Sequence, residues 1–176
     1  GSENEQMLTE LTGEEQKTAA ARSHAYQLFA RLFEYPDKEF GEEIRNGEVA
    51  ESVRQALGAI DPSLLEESDW DALGNAGEGE DDLAIEYTRL FDVGTSGPPC
   101  PLYGGLYTAA RMKTMEEAIR FYNHFGLTLA DSPREMPDHI TTELEFLHFL
   151  AFREVEALQG GEDPGPFRRA QRDFAA

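Results

Sequence analysis

Two carboxylate–imidazole pairs fall within one short stretch of this sequence. Glu145 and His148 stand three residues apart, and His139 and Glu143 stand four apart. On a helix, such partners share a face, so either pair could hold a metal or move a proton. Glu-x-x-His is the spacing used by di-iron carboxylate bundles. The helical wheel keeps the two pairs separate. Positions i and i+2 differ by about 200°, which leaves Glu143 and Glu145 about 160° apart. A di-iron bundle also needs a second Glu-x-x-His on another helix, and the sequence holds none. No metal and no cofactor is therefore expected. His-Glu-x-x-His and Gly-x-Ser-x-Gly are also missing. Cys100 is the only cysteine and sits among Pro98, Pro99 and Pro101. It excludes an internal disulfide and a Cys-based zinc site. As a nucleophile it would need a base or cation to form the thiolate, and no partner is identifiable. The residues point away from an enzyme.

Asp138-His139 admits two readings. In one, Asp138 complements the positive end of a helix and His139 is an exposed polar residue. In the other, the pair forms a polar clamp at the mouth of a groove, and Glu143 on the same flank offers a carboxylate to a guanidinium.

These side chains need helices to place them. Residues 137–158 read as the longest helix. Ile140, Leu144, Leu147, Ala151, Val155 and Leu158 form its core stripe. His139, Glu143, Phe146 and Leu150 line one flank, and Glu145, His148, Phe149 and Phe152 the other. Apolar on nearly every face, it belongs at the centre of the fold. Ala25, Leu28, Phe29, Leu32 and Phe33 give a helix over 18–34, ended by Pro36. Further helices are expected at 37–45, 48–60, from Asp81 or Asp82 through Phe91, at 114–125 with Gly126 just past its end, and at 167–174. A short helical stretch is expected at 102–112. Ser132 and Glu135 have capping-box spacing. The glycine-rich acidic run 74–82 and the proline-rich run 92–101 read as loops, the second long enough to be functional. No period-2 alternation appears. The expectation is an all-α, single-domain bundle of about seven helices over 18–176. The polar segment 1–17 should be frayed, Gly1-Ser2 resembles an expression scar, and the last helix looks cut short.

Charge restricts the partners. The 176 residues carry 15 Lys and Arg against 35 Asp and Glu, a net −20, with a pI near 4.4. Such a field repels nucleic acid and anionic lipid, and draws in cations and basic peptides. No stretch is apolar and long enough to span a bilayer, and the acidic N-terminus lacks the features of a secretory signal. A cytoplasmic location is expected.

Four fragments, in order, resemble the TorD/DmsD/NarJ family of molybdoenzyme-specific chaperones. They are Tyr35-Pro36-Asp37; Glu86-Tyr87-Thr88-Arg89-Leu90-Phe91-Asp92-Val93-Gly94; Pro98-Pro99-Cys100-Pro101-Leu102-Tyr103; and Pro137-Asp138-His139-Ile140-Thr141-Thr142-Glu143-Leu144-Glu145-Phe146. The resemblance spans about 20–174 and implies an all-helical fold. It also implies a binding function: recognition of the twin-arginine signal on the catalytic subunit of a molybdopterin oxidoreductase, help with cofactor insertion, and prevention of premature export. Asp138 and His139 match the pair implicated in signal binding, with Tyr87, Leu90, Phe91 and the loop bearing Pro99 beside it. With Glu143 and Tyr103 added, the expected division is Asp138, His139 and Glu143 for the basic part of the signal, and Tyr87, Phe91 and Tyr103 for its apolar part. The commoner family loop has Tyr-Glu-Ser after the prolines. The Cys100-Pro101-Leu102-Tyr103-Gly104-Gly105 variant is more similar to chaperones serving enzymes of ethylbenzene, dimethyl sulfide, chlorate or selenate. The family's domain-swapped forms leave both monomer and homodimer open. A generic acidic peptide-binding adaptor, or a small enzyme using Cys100, are the rival functions.

Overall fold

A computed structural model of the chain describes residues 13–128 and 136–176. The expected fraying of residues 1–12 and the Ser132–Glu135 capping box lie outside them. Eight α-helices and two 3-10 turns are described. They are α1 (Glu14–Leu32), α2 (Lys38–Arg45), α3 (Glu48–Ile60), a 3-10 turn (Pro62–Leu65), α4 (Trp70–Leu73), α5 (Asp82–Phe91), a second turn (Gly104–Tyr107), α6 (Arg111–His124), α7 (Ile140–Gly160) and α8 (Gly165–Ala175). There is no strand among the described residues, only isolated bridges between Thr95 and Gly97 and between Tyr103 and His139. The fold is all-α.

Helix starts follow local chemistry. The Asp37 carboxylate accepts from the Phe40 N–H at 2.8 Å and starts α2, and the Asp69 carboxylate accepts from the Ala72 N–H at 3.0 Å and starts α4. Gly47, with φ +84°, turns the chain from α2 into α3, a conformation that glycine adopts without strain. Gly126, φ +75°, ends α6 as expected. Several expected boundaries are corrected. Helix α1 begins at Glu14, not 18, because Glu14 and Glu15 in its first turn suit the positive helix end. Helix α7 begins at Ile140, since His139 is its extended N-cap (φ −68°, ψ 135°). The 102–112 stretch contributes only one 3-10 turn before α6 starts at Arg111. The one-turn α4 was not anticipated; Trp70 and Leu73 tie it to the core.

Helices α1 and α7 form the central pair, with α3 against α1 and α8 against α7. Ala19, Ala20, Ala21, Ala25 and Ala30 are the buried positions that let α1 approach closely. Two larger clusters flank this pair. One joins Phe40, Ile44, Val49 and Val53 to Leu28, Phe29 and Leu32 of α1. The other is aromatic and joins Tyr122, Phe146 and Leu150 to Phe121, Phe125, Phe167 and Phe174 across α6, α7 and α8. Glu154, 1% exposed, ties three helices. It accepts from Arg22 (2.8 Å), Arg168 (2.7 Å) and Gln171 (2.8 Å). Burial pushes its carboxyl up, but the bonds from Arg168 and Gln171 and the charge of Arg22 outweigh that and hold it below its ordinary value.

Candidate peptide-binding site

The sequence-predicted residues fall into two clusters joined by one loop. At the start of α7, the chain at 102–105 lies against 138–140. The Gly104 N–H donates to the Asp138 carbonyl at 2.8 Å, and the Ile140 N–H donates to the Leu102 carbonyl at 2.8 Å. The Tyr103 ring meets the His139 ring edge-on, centroids 5.0 Å apart. From the other side the Tyr122 hydroxyl donates to the Pro137 carbonyl at 2.7 Å.

Asp138 is fully buried. Its Oδ2 accepts from the Gly105 N–H at 2.8 Å, while its Oδ1 is buried without a hydrogen-bond partner. Gly105 permits this approach: a Cβ there would stand 2.6 Å from Arg111 Cγ and 2.8 Å from Asp138 Oδ2. His139 is 6% exposed, and its Nδ1 accepts from the Thr141 N–H at 3.1 Å. That bond corrects the first reading of the pair. The capping side chain is His139, not Asp138, and it is buried. The bond also needs the Nδ1 lone pair, so the ring is unprotonated at that nitrogen.

Glu143 lies one turn along the same flank, half-buried, with Oε1 3.5 Å from where a Gly104 Cβ would be. Burial, and then the nearby Asp138 carboxylate, raise its pKa from 4.5 to about 7. The same surroundings, burial first and then Glu143 and Asp138, raise Tyr122. Glu143 is the carboxylate of this cluster that stays partly exposed, whereas Asp138 is fully buried.

Tyr87 and Phe91 lie in the second cluster, on α5, none of whose residues is fully buried. The Tyr87 hydroxyl donates to the Phe33 carbonyl at 2.7 Å. Its ring meets Phe91 and Tyr35 edge-on, at 4.9 and 5.5 Å, and Phe91 also meets Phe33 at 6.3 Å. Beside them runs a cleft of about 230 Å³ lined by Leu32, Phe40, Ile44, Leu83, Leu90 and Phe91, with Glu34 and Glu86 at its edge. Tyr35 is 64% exposed. The loop with Pro99 connects the clusters: the Cys100 N–H donates to the Leu90 carbonyl at 2.9 Å, and two residues later the chain pairs with α7. Pro99 and Cys100 are exposed. Asp138, His139, Glu143 and Tyr103 are thus brought together, Tyr87 and Phe91 form a separate aromatic group, and Pro99 lies on the strap between.

Sequence reasoning missed Gly105, Tyr122 and Tyr35. The paired glycines after Tyr103 were the available signal for Gly105. Tyr122 had none, because its partner is a backbone carbonyl fifteen residues away. No three His, Cys, Asp or Glu side chains converge on a metal-sized point among the described residues, and no described helix is long and apolar enough to cross a membrane.

The family model described as nitrate reductase delta subunit matches residues 46–176. The chain belongs to this family, the one its motifs resemble. It is 33% identical to the chlorate reductase assembly chaperone protein of Ideonella dechloratans over 156 residues, 88% of this chain and 68% of that one. It is 34% identical to the selenate reductase assembly chaperone protein of Thauera selenatis, with the same coverage. It is also 34% identical to the dimethyl sulfide dehydrogenase assembly chaperone protein of Rhodovulum sulfidophilum, over 89% of this chain and 64% of that one. These relatives are named as assembly chaperones and not as catalysts, and the chain is a chaperone of their kind rather than an enzyme.

Proposed function

We propose that this chaperone binds the twin-arginine signal region of the catalytic subunit of a molybdenum-cofactor oxidoreductase. It does so in the cytoplasm, assists cofactor insertion and assembly, and prevents premature export. The observation that carries the reading is the pairing of a carboxylate-edged aromatic cleft with a second acidic cluster, joined by a short strap. A twin-arginine signal is basic and then apolar. An arginine fork meets Glu143 at the start of α7, where a charge-assisted pair is strongest if partly shielded from water. The apolar stretch that follows lies along Tyr103 and against Tyr87 and Phe91, in the manner of a peptide in a groove between helices. Asp138 and His139 act from below, holding the strap at 102–105 and the first turn of α7 in place. Pro99 stiffens the strap. The names of the relatives, which cite chlorate and selenate reductases and dimethyl sulfide dehydrogenase, support a client from the same subgroup of enzymes.

Calorimetry with a synthetic signal peptide tests the reading. Wild-type protein should bind it, and replacing both arginines of the peptide with glutamine should abolish binding. Tyr87→Ala and Phe91→Ala should each weaken it about tenfold or more, as loss of a packed aromatic anchor does. A scrambled basic peptide binding equally well would favour a generic acidic adaptor instead. Unchanged affinity in Glu143→Gln, Tyr87→Ala and Phe91→Ala together would remove the site.

A further inference from the structure

A third feature lies away from both clusters. Between the end of α6 and the outer face of α8 runs an open groove of about 410 Å³, within the range of ligand sites. Phe121, Phe125, Pro166 and Ala170 form its floor and walls. Phe121, Phe125 and Ala170 belong to the aromatic core cluster, so the floor is fixed by packing. Its rim carries Arg120, His124 and Arg169 against Asp173 alone.

That rim reverses the sign of the molecule. Acids outnumber bases 35 to 15 over the whole chain, yet α8 holds three arginines and one aspartate. Two of those arginines are spent internally. Arg168 reaches Glu154 and Glu15, and Arg172 reaches Asp173. Arg169 has no hydrogen bond or ion pair among the described residues. Arg120 meets Glu116 of its own helix at 3.9 Å with both side chains well exposed, a contact that contributes little. Among the described residues, then, Arg169 is left without an ion pair and Arg120 with one exposed contact, both at the edge of an aromatic cleft.

We propose that this groove docks an acidic segment of a partner protein, one carrying an aliphatic or aromatic side chain for the Phe121–Phe125 floor and carboxylates for Arg120 and Arg169. Charge complementarity selects that occupant. A basic peptide would meet repulsion at the rim, and a purely polar acidic one would leave the apolar floor wet. The site is independent of the signal-binding reading and of opposite polarity to it. A chaperone built this way grips a basic leader at one place and an acidic surface segment at another, and the two grips reinforce each other through effective concentration.

The test uses fluorescence anisotropy with the fluorescein-labelled peptide Glu-Asp-Leu-Phe-Glu-Glu-Leu. A second peptide replaces its acids with lysine, and a third replaces its Leu and Phe with serine. The first should bind and the two controls should not. The double variant Arg120→Glu/Arg169→Glu should weaken binding at least about tenfold while circular dichroism shows an unchanged fold. Both side chains are exposed, so folding is not at stake. A twin-arginine peptide should neither compete nor lose affinity in that variant. No binding of the acidic peptide, equal binding by the lysine control, or indifference to the double variant overturns the proposal. So does self-association of the wild type that the double variant abolishes, since the occupant would then be a second copy of this chain.

Discussion

The start of α7 and the face of α5 carry the two halves of one candidate site, and they are built in opposite ways. At α7, Asp138 and His139 are buried and their polar atoms hold backbone: Gly105 N–H in one case, Thr141 N–H in the other. On α5 no residue is fully buried, and Tyr87, Phe91 and Tyr35 meet edge to edge with faces left open. In one half, buried polar groups hold a loop to a helix start, and Glu143 is the carboxylate there that stays partly exposed. The other joins α5 to the end of α1 through one hydrogen bond and rings that stay partly exposed. A residue can therefore be implicated in binding through position alone, and only the second kind can be altered without disturbing the fold.

Asp138→Ala breaks this comparison most directly and has the largest expected effect. It leaves the Gly105 N–H unmet in a closed interior, at about 2 kcal/mol, or roughly 4–8 °C in melting temperature for a chain of this size. Asp138→Asn keeps an oxygen for Gly105 and should recover most of that loss. Tyr87→Ala, by contrast, should lower peptide affinity far more than it lowers the melting temperature. Thermal melts alongside calorimetry decide it. Equal melting temperatures for Asp138→Ala and wild type would mean that Asp138 is not a scaffold residue.

This division shows where the sequence is readable. The 3.6-residue apolar pattern located α1, α3 and α7 because one stripe must face a core, and Pro36 and Gly126 marked the ends of α1 and α6. The proline run announced a strap, and the shared flank of His139 and Glu143 was visible on the wheel. What the strap touches was not visible. The bonds from Gly105 to Asp138 and from Ile140 to Leu102 join segments over thirty residues apart, and no periodicity encodes such pairing. The same blindness hid the acidic Glu154 junction, whose partners come from α1 and α8. It also led to an exposed His139, since a histidine in a helix's first turn looks polar until the neighbouring loop covers it.

Glu143 sharpens the comparison through pH. Its folded pKa of about 7 lies above its ordinary 4.5, so the folded state holds the proton more tightly than the unfolded one. The stability this contributes is present at low pH and is lost as pH rises through about 7. Glu143→Gln should remove that slope, gaining on wild type by on the order of 1 kcal/mol between about pH 5 and pH 8, a figure kept small because the group is only half-buried. Binding should run the other way. An arginine needs the carboxylate, so wild-type affinity for a signal peptide should rise across this range with release of up to about one proton, and the Gln variant should be flat. A wild-type affinity independent of pH would place the arginines elsewhere.

Salt acts on the whole field rather than on either half. With −20 on the chaperone, the on-rate for a basic peptide should fall as ionic strength rises, while the off-rate changes less. Stopped-flow traces across a salt series measure both. A flat on-rate would confine the acidic surface to solubility and leave Glu34, Glu86 and Glu143 as the only charges the peptide senses.

Cys100→Ser has the smallest expected effect, and its smallness is informative. Cys100 sits midway along the strap that joins the two halves. Its contribution there is a backbone one: its N–H donates to the Leu90 carbonyl at 2.9 Å, and serine keeps that bond. Its thiol is exposed and has no hydrogen bond among the described residues, so serine loses no packing either. Arg89, which lies beside the thiol, is already engaged by Glu86 through bonds of 2.7 to 3.1 Å. Melting temperature, peptide affinity and client maturation should all match wild type. A variant that binds peptide normally yet fails to mature its client would separate the strap from both halves and assign the thiol chemistry of its own. Cys100→Ala would then distinguish a role for the sulfur from intolerance of the hydroxyl, because alanine removes the sulfur without adding a polar group.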